Sequence, residues 1–286
     1  MRSKSMANLE HVATLKAGVG VWNEWRSQHP EIIPNLQGQF LRGWNLAQAN
    51  LAQANLAQAD LQEAVLTQAT LSRAILNNAN LTRTHLEAAE LNGTQLVVAT
   101  LEQAQLQNAD LSDANLIGAT LLNANLALAK LNRVNLIGTT LRGANFTEAN
   151  LNQSHLNRAD LGEAILISAH LCQANLSHSN LHDAVLINAH LCGADLTDAN
   201  LRGANLCRAY LVDADLTGAD LFSANCAWGN FSGANLQKAK LAYTSMRGAN
   251  LRHCSLHQAY VCEVDWENAS LDPLQWDALA LLTHSP

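Results

Sequence analysis

The chain has 286 residues, a formal net charge of −7 and only 14% charged residues. An acidic balance without a basic stripe argues against general nucleic-acid binding, the aliphatic content against a disordered chain, and the lack of any 18-residue apolar run against a membrane-spanning helix. Six cysteines, at 172, 192, 207, 226, 254 and 262, fall in no Cys-x-x-Cys spacing and are expected to stay reduced in a cytoplasmic protein.

The opening "MRSKSMANLEHVATLKAGVGVW" is basic but has no apolar stretch adequate for a secretory signal. Residues 9–26 place Leu9, Val12, Val19, Trp22 and Trp25 at helical spacing, with Lys16 off the pattern. One amphipathic helix, ended by Pro30, is predicted there.

From Leu36 a five-residue rhythm takes over, as in "LAQANLAQANLAQADLQEAV" at 46–65. Its centres run to Leu271 without insertion or deletion, 48 units in all, and 42 centres are Leu. The exceptions are Phe146, Cys226, Phe231, Met246, Val261 and Trp266. Two residues before each centre, from Ala49 to Ala269, only Val134 and Val264 exceed the size of Ala, Gly, Ser, Thr or Cys. The residue between is usually polar, often Asn or Asp.

Neither regular helix nor flat strand accommodates this rhythm. Five residues advance about 140° net around a helix, so the leucines would point in all directions. Along a strand, centres five apart alternate between faces. A three-residue extended segment of small residue, polar residue and Leu places the first and third side chains on one side and the polar one on the other. The last two residues then turn a corner. Glycine or Asn often sits two residues after the centre, as at Gly93, Gly118, Asn78 and Asn188, and both tolerate the positive φ of a type II turn. Four corners close a square coil of 20 residues, stacked on its neighbours about 4.8 Å apart. The 48 units give about twelve coils and a rod of roughly 58 Å at that spacing. Inside, Ala-sized residues are required because a larger neighbour would overpack the leucines, at about 1–3 kcal/mol.

Stacked coils expose edges that need covering. The N-terminal helix suits one end. At the other, "SLDPLQWDALALL" offers Asp272 as N-cap, Pro273 at the first helical position, and an apolar surface of Leu274, Trp276, Leu279, Leu281 and Leu282. The expected organisation is a helical cap at 1–34, a repeat domain at 35–271 and a second helical cap at 272–286. The C-terminal helix would serve as a cap or as a dimer contact, leaving monomer and dimer open.

No catalytic motif is present: no GxSxG, P-loop, HExxH or Rossmann fingerprint. An enzyme is not expected, and no cofactor is implied. "AHLCQ" at 169–173 and "AHLCG" at 189–193 put His170, Cys172, His190 and Cys192 outward on one side of adjacent coils. Two His and two Cys offer a tetrahedral zinc set. Parallel side chains on a flat face converge poorly on one metal, which favours simple repeat duplication instead. Val97, Ile117 and Ile137 form an outward apolar column, and Ile167, Ile187 and Cys207 form a second. β-branched residues stack well along a ladder, and such a stripe can also mark a partner site. Phe222, Trp228 and Tyr243 occupy outward slots near the C-terminus, and aromatic residues are enriched in interface cores.

The string "ANLxxANLxxADL" resembles the pentapeptide-repeat family, with its motif A-(D/N)-L-x-x, over about 82% of the chain. The resemblance implies an all-β solenoid, a right-handed quadrilateral parallel β-helix; its hand agrees with the crossover rule. The lead-in "VWNEWRSQHPEIIPNL" looks like those of cyanobacterial members. Two functional classes follow from the resemblance. One is a non-catalytic scaffold that presents side chains to an unidentified protein partner, as in regulatory cyanobacterial members. The alternative is a DNA mimic that binds a DNA-processing enzyme such as gyrase, as in the fluoroquinolone-resistance members, which pair through their C-terminal ends. Charge favours the first. A 58 Å length of duplex carries roughly 34 negative charges, whereas residues 35–286 carry a net of −8, interrupted by Arg142, Arg158, Arg202 and Arg208.

Overall fold

A computed structural model describes residues 7–273. The predicted C-terminal helix lies almost wholly outside them. The chain divides into two compact units, Met1–Thr140 and Leu141–Pro286.

Both units are wound by the same rule. In the first, every ladder pair joins residues 20 apart in parallel, from Asn35 with Asn55 to Thr120 with Thr140. In the second the pairs run from Asn145 with Ile165 to Asn250 with Ser270. A pentapeptide with a coil on each side within its unit typically makes three kinds of ladder hydrogen bond. Leu36 N–H donates to the Asn55 carbonyl (2.8 Å), Asn55 N–H to the Pro34 carbonyl (2.8 Å) and Gly38 N–H to the Ala57 carbonyl (2.8 Å). Most backbone polar groups are thereby satisfied, as a dry interior requires.

The interior is what the sequence pattern demands. Leucine centres such as Leu51, Leu56, Leu166 and Leu191 are fully buried, as are Ala54, Ala169 and Ala189 beside them. The larger substitutes Phe146 and Phe231 are also fully buried. Where the small slot holds Thr, its hydroxyl donates to a leucine carbonyl 23 residues earlier: Thr84 to Leu61 at 2.8 Å and Thr244 to Leu221 at 2.7 Å.

The corner is closed by a hydrogen bond from the fourth residue to the first, such as Trp44 N–H to the Leu41 carbonyl (3.1 Å). Every unit from Gly38 to Asn268 has positive φ at its third turn residue. Glycine fills only eleven of these slots; the rest include Gln53, Arg133, Val98 and Leu128. The ladder therefore imposes the left-handed conformation whatever the side chain, at a cost of about 1–2 kcal/mol for a residue other than glycine.

The polar slot has a role that the repeat pattern alone does not disclose. Its Asn or Asp carboxyl or amide oxygen accepts the N–H two residues on, as Asn45 does from Ala47 (3.2 Å) and Asp195 from Thr197 (2.9 Å). That N–H has no ladder partner, so the side chain satisfies it and braces the turn. Gln95 and His170 cannot make this bond, and there an Asn one coil earlier substitutes. Asn77 accepts Val97 N–H (2.9 Å) and Asn152 accepts Cys172 N–H (2.8 Å).

The N-terminal segment forms two helices rather than one: α1, Leu9–Lys16, and α2, Val19–Gln28. Gly18, at φ 119° and ψ 157°, breaks the predicted run. The inward face is correspondingly different: His11, Leu15, Trp22 and Arg26 are buried, and Leu9 is 79% exposed. Polar side chains of α2 meet the edge of the first coil. Trp22 Nε1 donates to the Asn50 carbonyl (2.8 Å), Asn23 Oδ1 accepts from Asn50 N–H (2.8 Å), and Asn23 Nδ2 donates to the Gln48 carbonyl (2.9 Å). Arg26 donates to the carbonyls of Ile32 (2.7 Å) and Ala52 (3.2 Å). His11 Nδ1 accepts from Asn35 N–H (3.0 Å), and burial holds its imidazole below the usual histidine range.

Candidate interaction face

One side of the second unit collects most of the unusual outward residues. It is built by the extended segments 169–171, 189–191, 209–211 and 229–231, joined by the pairs His170–His190, His190–Tyr210 and Tyr210–Asn230. The ladder sets the spacing of the side chains that leave it. His170 stacks on His190 with ring centroids 4.9 Å apart and planes 15° from parallel. Tyr210 continues the stack beyond His190 at 4.9 Å and 13°. Burial, and next the charge of His170, hold the His190 imidazole below its ordinary range.

The cysteines beside this stack point along the ladder. Cys172 Sγ lies 3.8 Å from the His190 carbonyl and Cys192 Sγ 3.9 Å from that of Tyr210, as S–H donors. Burial raises the Cys192 thiol above its usual range, with the charge of Cys172 adding to the effect. Both thiols are free. The four residues that offered a zinc set are thus brought together as two parallel columns: stacked rings, and thiols directed at carbonyls of the next coil. Among the described residues no three His, Cys, Asp or Glu are gathered to hold a metal ion.

At the C-terminal end of the stack lies a cavity of about 430 Å3, lined by Asn188, Arg208, Tyr210, Trp228 and Asn230. Tyr210 is 45% and Trp228 56% exposed. Trp228 sits at a corner with φ 60°, and a Cβ at Gly248, one coil on, would collide with its indole. The absence of a side chain at Gly248 lets the ring lie against the backbone.

Phe222 and Tyr243 belong to a different corner. Their rings meet edge-to-face at 5.4 Å, and the Arg202 guanidinium lies 4.1 Å above the Phe222 ring. The structure therefore brings Phe222 and Tyr243 together and places Trp228 on the next corner, with Tyr210. Val97, Ile117 and Ile137 line a column of the first unit; Ile117 is 38% exposed and the other two are half-buried. Sequence reasoning missed Asn188, Arg208 and Tyr210. The signal was the 20-residue register, which puts Tyr210 after His190 and Arg208 before Trp228.

These features define an outward-facing repeat solenoid whose variable residues stand in register above an interior built mainly of Leu and Ala. Eight overlapping copies of the pentapeptide-repeat profile match between residues 35 and 265, and the chain belongs to the pentapeptide-repeat family, whose members are right-handed β-helical solenoids. It is 32% identical to HetL, a pentapeptide repeat protein involved in heterocyst differentiation regulation from the cyanobacterium Nostoc sp. strain PCC 7120, over 87% of this chain and 96% of HetL, with a TM-score of 0.37. It is 21% identical to QnrB1, a plasmid-mediated fluoroquinolone resistance protein, over 67% of this chain and 90% of that one, with a TM-score of 0.47. A pentapeptide repeat protein of the Arabidopsis thaliana thylakoid lumen is 30% identical over 41% of this chain and 70% of its own, with a TM-score of 0.20. No curated protein matches significantly. Among the described residues no helix is long and apolar enough to cross a membrane.

Proposed function

We propose that the protein is a non-catalytic cytoplasmic scaffold that presents ordered columns of side chains to a protein partner. The observation that carries this reading is the division of labour within each pentapeptide. The backbone and inward residues are committed to the ladder, while the outward slots vary freely and carry aromatic rings in two groups, Phe222 with Tyr243 at one corner and Tyr210 with Trp228 at the next. The contact surface comprises Phe222, Trp228 and Tyr243, with the Val97, Ile117 and Ile137 column as a second element. The same reading assigns a helical cap at residues 1–34, about twelve coils to the 48 units of residues 35–271, and to residues 272–286 the role of a second cap or a dimer contact; the seating of α2 against the first coil supports the first of these.

Pairing of several carboxylates with Arg or Lys weakens a DNA-like surface, although Asp195, Asp198, Asp213 and Asp215 have no such partner among the described residues. Glu63 pairs with Arg42 (3.4 Å), Asp113 with Arg133 (2.7 Å), and Asp220 with Lys240 (3.4 Å) and Arg202 (3.6 Å). A gyrase supercoiling assay should accordingly show neither protection nor inhibition at micromolar protein; an effect there would replace the scaffold reading by mimicry. The direct test is affinity capture from native extract with the wild type and with Phe222, Trp228 and Tyr243 changed to Ala. A partner held by the first and lost by the second supports the reading. An unchanged set of captured proteins overturns the surface assignment.

A further inference from the structure

We infer that the cavity lined by Asn188, Arg208, Tyr210, Trp228 and Asn230 binds a carboxylate carried beside an aromatic side chain, as in an acidic peptide segment of a protein partner. The inference rests on the scaffold reading, and it names the chemistry of the contact at one corner.

Arg208 is the first argument. Several guanidinium groups elsewhere on the solenoid reach one coil up or down for a partner: Arg133 to Asp113 (2.7 Å), Arg247 to Glu267 (3.0 Å) and Arg83 to Gln103 (2.9 Å). Arg73, Arg158 and Arg252, like Arg208, make no such contact among the described residues, and of these four it is Arg208 that lines the cavity. The positions 20 residues before and after Arg208 hold Asn188 and Trp228, neither of them anionic. Among the described residues the Arg208 side chain makes neither an ion pair nor a hydrogen bond, so a cation stands at the cavity wall with its donors open to a ligand. A guanidinium binds a planar carboxylate through two parallel N–H donors.

The remaining lining points the same way. The Asn230 oxygen already accepts from Ser232 N–H (3.1 Å) and Asn250 Nδ2 (3.0 Å), which leaves its NH2 group as the available function. With the Tyr210 hydroxyl and Arg208, the wall is rich in donors, which calls for an acceptor-rich ligand. Asp213, at the far corner of this side, has its carboxylate lying against Gly233.

Trp228 and Tyr210 supply flat apolar walls, and the indole is seated in advance against Gly248. A rigid aromatic wall lowers the ordering cost of binding. The volume suits one or two side chains. One guanidinium on a chain of net charge −7 matches a singly charged carboxylate better than a polyanion.

The test is calorimetric titration of the full chain with acetyl-Gly-Phe-Glu-Phe-Gly-amide. Replacing the peptide's Glu by Gln, or making Arg208→Gln in the protein, should each weaken binding about tenfold or more. The two changes together should cost little beyond either one alone. Trp228→Ala should abolish the signal, with a circular-dichroism spectrum and melting midpoint close to wild type, because the side chain is outward. Equal binding of the Glu and Gln peptides, indifference to Arg208→Gln, or no heat at millimolar peptide would each overturn the inference. N-acetylphenylalanine or adenosine monophosphate binding as tightly as the peptide would overturn the peptide assignment in favour of a small anion. A silent peptide alongside partner capture that still depends on Trp228 removes only this inference. A responsive peptide alongside capture indifferent to Phe222, Trp228 and Tyr243 removes only the scaffold reading.

Discussion

Residues 46–70, in the first unit, carry short polar side chains outward, and these pair with their own kind: Gln48 donates to Gln68 one coil on (3.0 Å). Residues 166–233, in the second, carry stacked imidazoles, a tyrosine, two thiols, an unpaired guanidinium and an exposed indole on one side. Their interiors follow one pattern, with Cys226 and Phe231 as the departures in the second: Leu51 and Ala54 in one, Leu191 and Ala194 in the other, all buried. The ladder bonds differ by no more than a few tenths of an ångström. Inward slots answer to packing, which one solution satisfies. Outward slots answer to nothing in the fold except the brace at the polar position, so they are free to acquire chemistry.

The hardest way to break this comparison is at the core. Leu56→Ala and Leu191→Ala should each cost about 2–5 kcal/mol and by similar amounts, read as shifts in denaturant midpoint. A large inequality would show that the two interiors are not equivalent. At the corners, Gly248→Ala should cost about 1–2 kcal/mol from the left-handed backbone alone. Collision with the Trp228 indole adds to that loss, and Trp228→Ala in the same chain should recover the added part but not the backbone part. In the first unit, Val98 is a β-branched residue at φ 56° and 57% exposed. Val98→Gly should therefore stabilise by about 1 kcal/mol, seen as a higher melting temperature. An unchanged or lower temperature would show that the corner tolerates Val without strain.

The mildest expected effect sharpens the comparison through pH. The folded chain holds His190 below the ordinary histidine value, by burial and then by His170. The unfolded chain takes up the proton more readily, so stability is full above about pH 6.5, the unfolded value, and declines as pH falls through it towards the folded value. His11 is shifted in the same direction by burial. Melting temperature should fall on acidification; His190→Gln should reduce the fall, and His11→Gln should reduce what remains. A loss on raising the pH from 6 to 8 would contradict both assignments.

Much of this was legible from residue type and spacing. Bulky aliphatics five apart with alanine-sized partners permit only a four-cornered winding, and that dictated the 20-residue register, the buried columns and the outward position of every candidate residue. Three things were not legible. Helical spacing across residues 9–26 concealed the break at Gly18, because periodicity reports side-chain direction and not backbone continuity. The glycines suggested that corners need permissive residues, whereas ladder hydrogen bonds impose positive φ on Arg133 or Val98 as readily. The aromatic residues Phe222, Trp228 and Tyr243 read as one group, yet rotamers and neighbours decide which rings meet. Phe222 and Tyr243 share a corner under Arg202, and Trp228 turns to Gly248 and the cavity with Tyr210 and Arg208. The sequence by itself determined the winding, because apolar burial depends on residue size and order alone. Only the tertiary structure decided which outward groups meet, because coils stacked about 4.8 Å apart bring together residues 18 to 22 positions apart, and their side-chain directions depend on the coil above and below.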